Sequence, residues 1–126
     1  MPIRYFDDEP YRTWPHRAQQ IWQILVSCAV EKKLLTYGEV ADYLGFNGAG
    51  VLAHPLGYIM NYCLNHDLPP LTTLVINQET GAPGAGLTAI QEYDSLDLAR
   101  IAVFDYEWYK IIPPRIEDYE SVGNGW

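Results

Sequence analysis

Few side chains in this 126-residue chain are thiols or imidazoles, the types best suited to nucleophilic and acid–base chemistry near neutral pH. The thiols are Cys28 and Cys63, and the imidazoles are His16, His54 and His66. Neither set has a C-x-x-C or a metal-ligand spacing, so no metal and no cofactor is expected. Both cysteines fall within apolar helical patterns, which reads as buried free thiols in a reducing compartment. A pairing such as Glu39 with His54 would serve general acid–base work only if the fold brought both into one cleft.

Positive charge is distributed unevenly. From Leu34 to Ala99 there is no Lys or Arg, and the whole chain carries 8 bases against 16 acids, a net charge of -8. Beyond Ile90 the acids Glu92, Asp94, Asp97, Asp105, Glu107, Glu117, Asp118 and Glu120 outnumber Arg100, Lys110 and Arg115. Lys and Arg contacts to phosphate supply essentially all non-specific DNA affinity. Such a molecule repels nucleic acid and anionic membranes at long range and attracts basic partners. A hydrophobic content of 48% with 13% aromatic residues fits a folded globule, read as a single domain over residues 1–126. The opening MPIRYFDDEP has no apolar core of a signal peptide, and no run of about 18 apolar residues occurs, so a soluble cytoplasmic protein without a membrane partner is expected.

The elements that must position these residues are mostly helical. Thr13 and Pro15 predict a helix start, with Ile21, Trp22, Leu25, Cys28 and Ala29 as one apolar stripe running to about Lys33. Thr36 and Glu39 form a T-x-x-E capping box for a short helix that buries Val40, Ala41 and Leu44 and stops at Gly45. After the NGAG turn, a second helix carries Pro55 in its first turn, with Leu52, Leu56, Ile59, Met60 and Cys63 facing inward. LTTLVIN reads as β, QETGAPGAG as a turn and Leu87 as the start of another extended piece, which together predict a β-hairpin wing. Asp94 or Ser95 then caps a helix to about Glu107 with Leu98, Ala99, Ala102 and Val103 as its apolar side. From Ile111 the tail is expected to be irregular and held down by Trp108 and Tyr109. The predicted class is α+β, mainly helical: a winged helix-turn-helix with a small β-hairpin wing, an added N-terminal helix and a C-terminal helix.

The order LLTYGEVADYLG, a Gly/Ala turn, a helix containing HPLG, an N-x-x-LP turn and LVIN-x-x-TG-x-x-G-x-GL resembles the C-terminal DNA-binding domain of the alkylguanine-DNA alkyltransferases and their alkyltransferase-like relatives. The resemblance covers residues 34–87 and leaves an acidic extension over 90–126. It implies a recognition helix for the minor groove, a Tyr and an Arg that extrude the damaged nucleotide, and an acceptor Cys within P-C-H-R-V. Those positions correspond here to Tyr37, His54 and either Thr72 or Thr73. A Thr hydroxyl without an activating base cannot replace a thiolate, so the chain is expected to be non-catalytic.

Two functions are expected from different classes. The first is an acidic protein-binding regulator, of the immunity or antitoxin inhibitor type, directed at a basic protein. Its partner surface would be His54, Tyr58 and Tyr62, since Tyr58 and Tyr62 lie four apart and off the inward stripe. The alternative is an alkyltransferase-like protein that binds DNA at modified bases through Tyr37, His54, Thr72 and Thr73 without repairing them. It requires Arg4, Arg12, Arg17, Lys32 and Lys33 to gather beside the recognition helix as a phosphate track.

Overall fold

A computed structural model of the chain describes residues 2–80 and 95–123. Among them are five α-helices and one two-stranded parallel sheet, so the architecture is mainly helical. Helix α1 (Trp14–Glu31) starts at Thr13 with Pro15 in its first turn, where a missing N–H costs nothing. Its stripe of Ala18, Ile21, Trp22, Leu25, Val26 and Ala29 is buried. The helix stops at Lys32, whose left-handed backbone (φ 59°) sends its own N–H and that of Lys33 back to the carbonyls of Ala29 and Cys28.

Strand β1 (Leu35–Thr36) leads directly into α2 (Tyr37–Leu44). The expected capping box forms: Glu39 N–H donates to Thr36 Oγ1 at 3.1 Å, and Thr36 N–H donates to Glu39 Oε1 at 3.0 Å. Gly45 ends the helix in the left-handed conformation (φ 78°) that favours glycine. Thr36→Ala removes the acceptor for Glu39 N–H and is expected to cost about 1 kcal/mol, read from a urea unfolding curve.

Helix α3 (Ala53–Asn65) follows a 3-10 turn over Gly50–Leu52 and carries Pro55 in its first turn, as its sequence predicts. Leu52, Leu56, Ile59 and Cys63 are buried, and Met60 is half-buried. The segment LTTLVIN departs from the β expectation. Pro70 carbonyl accepts both Thr73 N–H (3.0 Å) and Thr73 Oγ1–H (2.9 Å), which folds Leu71–Leu74 into a 3-10 turn before the chain extends. Only Val75–Ile76 is strand, β2, and it pairs parallel with β1, Leu35 opposite Val75 and Thr36 opposite Ile76. The wing expected from GAPGAG and Leu87 lies outside the described residues, as does Asp94.

Helix α4 (Leu96–Asp105) begins at Ser95, whose hydroxyl accepts from Leu98 N–H at 3.1 Å. Of its expected apolar side, Ala99 and Val103 are buried, Ala102 is half-buried and Leu98 points out to solvent. The helix meets α1 and the Leu71–Leu74 turn along the Ala99–Val103 row, and Leu98 lies about 100° around the axis from it. Trp108 follows in a 3-10 turn (Trp108–Lys110) and is buried as expected, while Tyr109 is exposed. The tail is not irregular throughout: Ile116–Val122 forms α5. Asp118 carboxylate accepts Arg115 N–H at 2.8 Å, and Tyr119 anchors the helix in the core. Glu117 and Asp118 in its first turn suit the positive end of the helix.

The core is stitched by rings. Tyr58 meets Tyr119, Tyr119 meets Tyr62, Tyr62 meets Trp22, Trp22 meets Trp108 and Trp108 meets Tyr106, with centroid separations between 4.7 and 6.4 Å. Contacts Trp14–His54 and Trp22–Tyr62 recur eight residues apart on both α1 and α3, so the two helices run alongside in the same sense.

Candidate functional site

Cys28, Cys63, Thr72 and Thr73 are all buried. Cys63 lies on the buried side of α3 next to the backbone N–H of Leu71, and burial pushes its thiol up to about 12. A group held so firmly as the neutral thiol is a poor nucleophile. Thr73 spends its hydroxyl on Pro70 carbonyl, and its own carbonyl accepts Arg100 Nε–H at 3.2 Å. Thr72 Oγ1 is buried with no hydrogen-bond partner among the described residues. Cys28 is also buried, and burial together with the neighbouring Glu31 charge raises its thiol.

The histidines stand elsewhere. His54 stacks on Trp14 at 5.0 Å, and His66 packs against Tyr62 at 4.3 Å. His16 Nδ1 lies 2.6 Å from Thr13 Oγ1, an exposed hydroxyl–imidazole contact that occupies Thr13's side chain at the helix start. Glu39 is engaged at the start of α2 and shares no contact with His54 among those described. Among the described residues no group of three or more His, Cys, Asp or Glu side chains converges as a metal set would.

Tyr58 and Tyr62 require a correction. Both were expected on an exposed face, yet both are half-buried beneath α5, their rings on Tyr119 at 6.4 and 6.0 Å. Asn61 Nδ2–H adds a bond to Gly123 carbonyl at 3.1 Å. Helix α3 is therefore covered by α1 and by α5, and from His54 to Leu64 every residue is buried or half-buried. The sequence pattern assumed one inward face for α3, whereas the fold gives it two. Tyr37 is half-buried against the same core.

The bases do not form a track. Arg17 inserts its guanidinium between the rings of Phe6 (5.1 Å) and Phe46 (4.8 Å), pairs with Asp7 at 3.3 Å and donates to Leu44 carbonyl. Arg12 donates to Asp7 carbonyl and Arg4 to Tyr11 hydroxyl. Lys32 and Lys33 sit at the far end of α1, Lys33 paired with Glu31 at 2.8 Å. Lys110 pairs with Glu107, and Arg115 with Glu117 and Asp118. Arg100 is half-buried, and burial lowers its pKa. Asp105 and Glu120 are exposed and join no salt bridge among the described residues, so the outward balance is acidic.

One exposed surface combines this acidity with apolar side chains. On α4, Leu98 (47% exposed) and Ile101 (52%) face solvent one turn apart, with Asp97 and Asp105 one turn to either side of Ile101. The sequence reading placed Leu98 in the core and passed over this face. Its signal was the 97–101–105 row opposite Ala99 and Val103.

Among the described residues no helix is long and apolar enough to cross a membrane. Comparison of the chain with protein-family models, curated proteins and solved structures finds no match.

Proposed function

We propose that this chain is a non-catalytic recognition module, built on an alkyltransferase-like winged-helix scaffold, that binds a basic protein as an acidic regulator of the immunity or antitoxin type. The observation that carries this reading is the charge map. Seven of the eight bases are engaged with acids, carbonyls or rings of the chain itself, and the chain as a whole carries a net charge of -8. Such a field speeds association with a basic target and repels polyanions. The succession of the capped α2, a short turn and α3 supports the scaffold part of the reading.

The competing reading, an alkyltransferase-like DNA binder, needs an exposed recognition helix and a pocket at Thr72 and Thr73. Burial of both threonines, the cover of α5 over α3 and the stacking of His54 on Trp14 argue against it.

Two measurements test the proposal. Duplexes with and without an alkylated guanine, followed by fluorescence anisotropy at about 50 mM salt, are expected to show no binding. Cross-linking of the tagged protein in its own cells, with mass spectrometry of the adduct, is expected to yield one stoichiometric partner of high isoelectric point. Lesion-selective duplex binding, or a neutral or acidic partner, would overturn it.

A further inference from the structure

Helix α4 holds to the body chiefly along the row of Ala99 and Val103, both fully buried, with Phe104 partly buried against the core. Directly opposite is Ile101, and beside it Leu98, each about half exposed. A surface helix normally turns a polar face to water, and here an adjacent aliphatic pair interrupts that face. The ends of the face are acidic. Asp97 and Asp105 are eight residues apart, about 12 Å along the axis at the α-helical rise.

Acids outnumber bases along α4, Asp97 and Asp105 against Arg100. Arg100, the base nearest in the helix, interacts with Asp97 but aims its Nε–H at Thr73 carbonyl on the body side, and Asp105 has no salt bridge among the described residues. Lys110 is engaged by Glu107.

Resting on the reading that the partner is a basic protein, we infer that the Asp97–Leu98–Ile101–Asp105 face of α4 docks a cationic amphipathic helix. That helix would present aliphatic residues one turn apart against Leu98 and Ile101, and Lys or Arg side chains about two turns apart against the two aspartates. The apolar pair supplies contact area and the two acids fix register, because a shift of one turn along α4 leaves a cation facing Ile101.

The test uses the full chain and a fluorescein-labelled helical peptide of this design, two leucines one turn apart between lysines about two turns apart, with a scrambled isomer of the same composition. The parent protein is expected to prefer the designed peptide over the scrambled one by about tenfold. Leu98→Ser with Ile101→Ser, and separately Asp97→Lys with Asp105→Lys, are each expected to abolish that preference while the far-UV circular dichroism stays that of the parent. Equal binding of the two peptides by the parent, or an undiminished preference in both variants, would overturn the proposal. A basic natural partner whose cross-links map away from α4 would sink this docking site and leave the proposed function standing. A partner that is not basic would remove both.

Discussion

Trp108→Ala is expected to reduce the free energy of unfolding by about 3–5 kcal/mol. Trp108 is almost wholly buried, its indole N–H donates to Val103 carbonyl at 2.7 Å, and its ring meets Trp22 edge-on at 5.7 Å. It thereby joins α1, the end of α4 and the segment that leads to α5. Truncation removes the apolar area, leaves a cavity between helices that cannot all move inward, and strips Val103 carbonyl of a buried donor. Trp108→Phe keeps most of the area and loses only the hydrogen bond, so its cost should fall well below that of alanine. Urea unfolding of both variants gives the comparison. A loss under about 1 kcal/mol for alanine would mean that the tail is not anchored through this ring.

Alkaline destabilisation is the second large effect. Folding raises the Cys63 thiol to about 12 and raises Tyr119 and Tyr62, in each case chiefly through burial. In the unfolded chain these groups ionise near about pH 8.5 for Cys and about pH 10 for Tyr. Between the unfolded and folded values the unfolded state holds fewer protons than the native one, so stability falls as pH rises. The contribution is fully present below about pH 8.5 and is lost progressively toward about pH 12, amounting to a few kcal/mol in sum. The denaturation midpoint should be flat between about pH 7 and pH 8 and then descend, more steeply once tyrosine titrates above about pH 10. Tyr119→Phe separates the components. Tyr119 hydroxyl is buried without a hydrogen-bond partner among the described residues, so its removal should cost nothing at neutral pH and should flatten the upper part of the descent. A midpoint unchanged to about pH 11 would show that neither the thiol nor the phenols are excluded from water.

What was legible in the sequence was local. The Thr36–Glu39 box, Pro15 and Pro55 in first turns, Gly45 as a stop and Ser95 as a cap each act within about one helical turn, and each lies where its chemistry requires. The apolar stripe of α1 was equally readable because its period is its own. Three features depend on contacts far apart in the chain and were missed for that reason. Helix α5 has seven residues, too few to be stable alone, so its existence rests on Tyr119 finding Tyr58 and Tyr62. With α5 absent from the expectation, those two tyrosines were bound to be read as surface. Val75 and Ile76 read as β from their residue types, but their parallel pairing with Leu35 and Thr36, forty residues upstream, is reported by no local alternation.

The candidate site divides in the same way. That Thr72 and Thr73 are buried in a turn is not reported by their residue types. The charge imbalance was a count, but that Arg17 is sandwiched between Phe6 and Phe46 depends on where residues 6, 17 and 46 meet. The face of α4 was hidden because Leu98 beside Ala99 satisfied the helical period equally well on either side. Only the position of the Leu71–Leu74 turn and α1 selects which row goes in.

The run of rings from Tyr58 through Tyr119, Tyr62, Trp22 and Trp108 to Tyr106 also gives the molecule an optical signature. Aromatic transitions held at fixed mutual angles in an asymmetric core couple and produce near-UV circular dichroism. Rings that rotate freely average it away. Because the contacts among Tyr58, Tyr119, Tyr62, Trp22 and Trp108 each span a junction between elements, this signal reports the docking of α5 and the tail onto α1 and α3, while the far-UV band reports only that helices exist. A state that keeps its helices but loosens α5 would darken in the first region and not in the second.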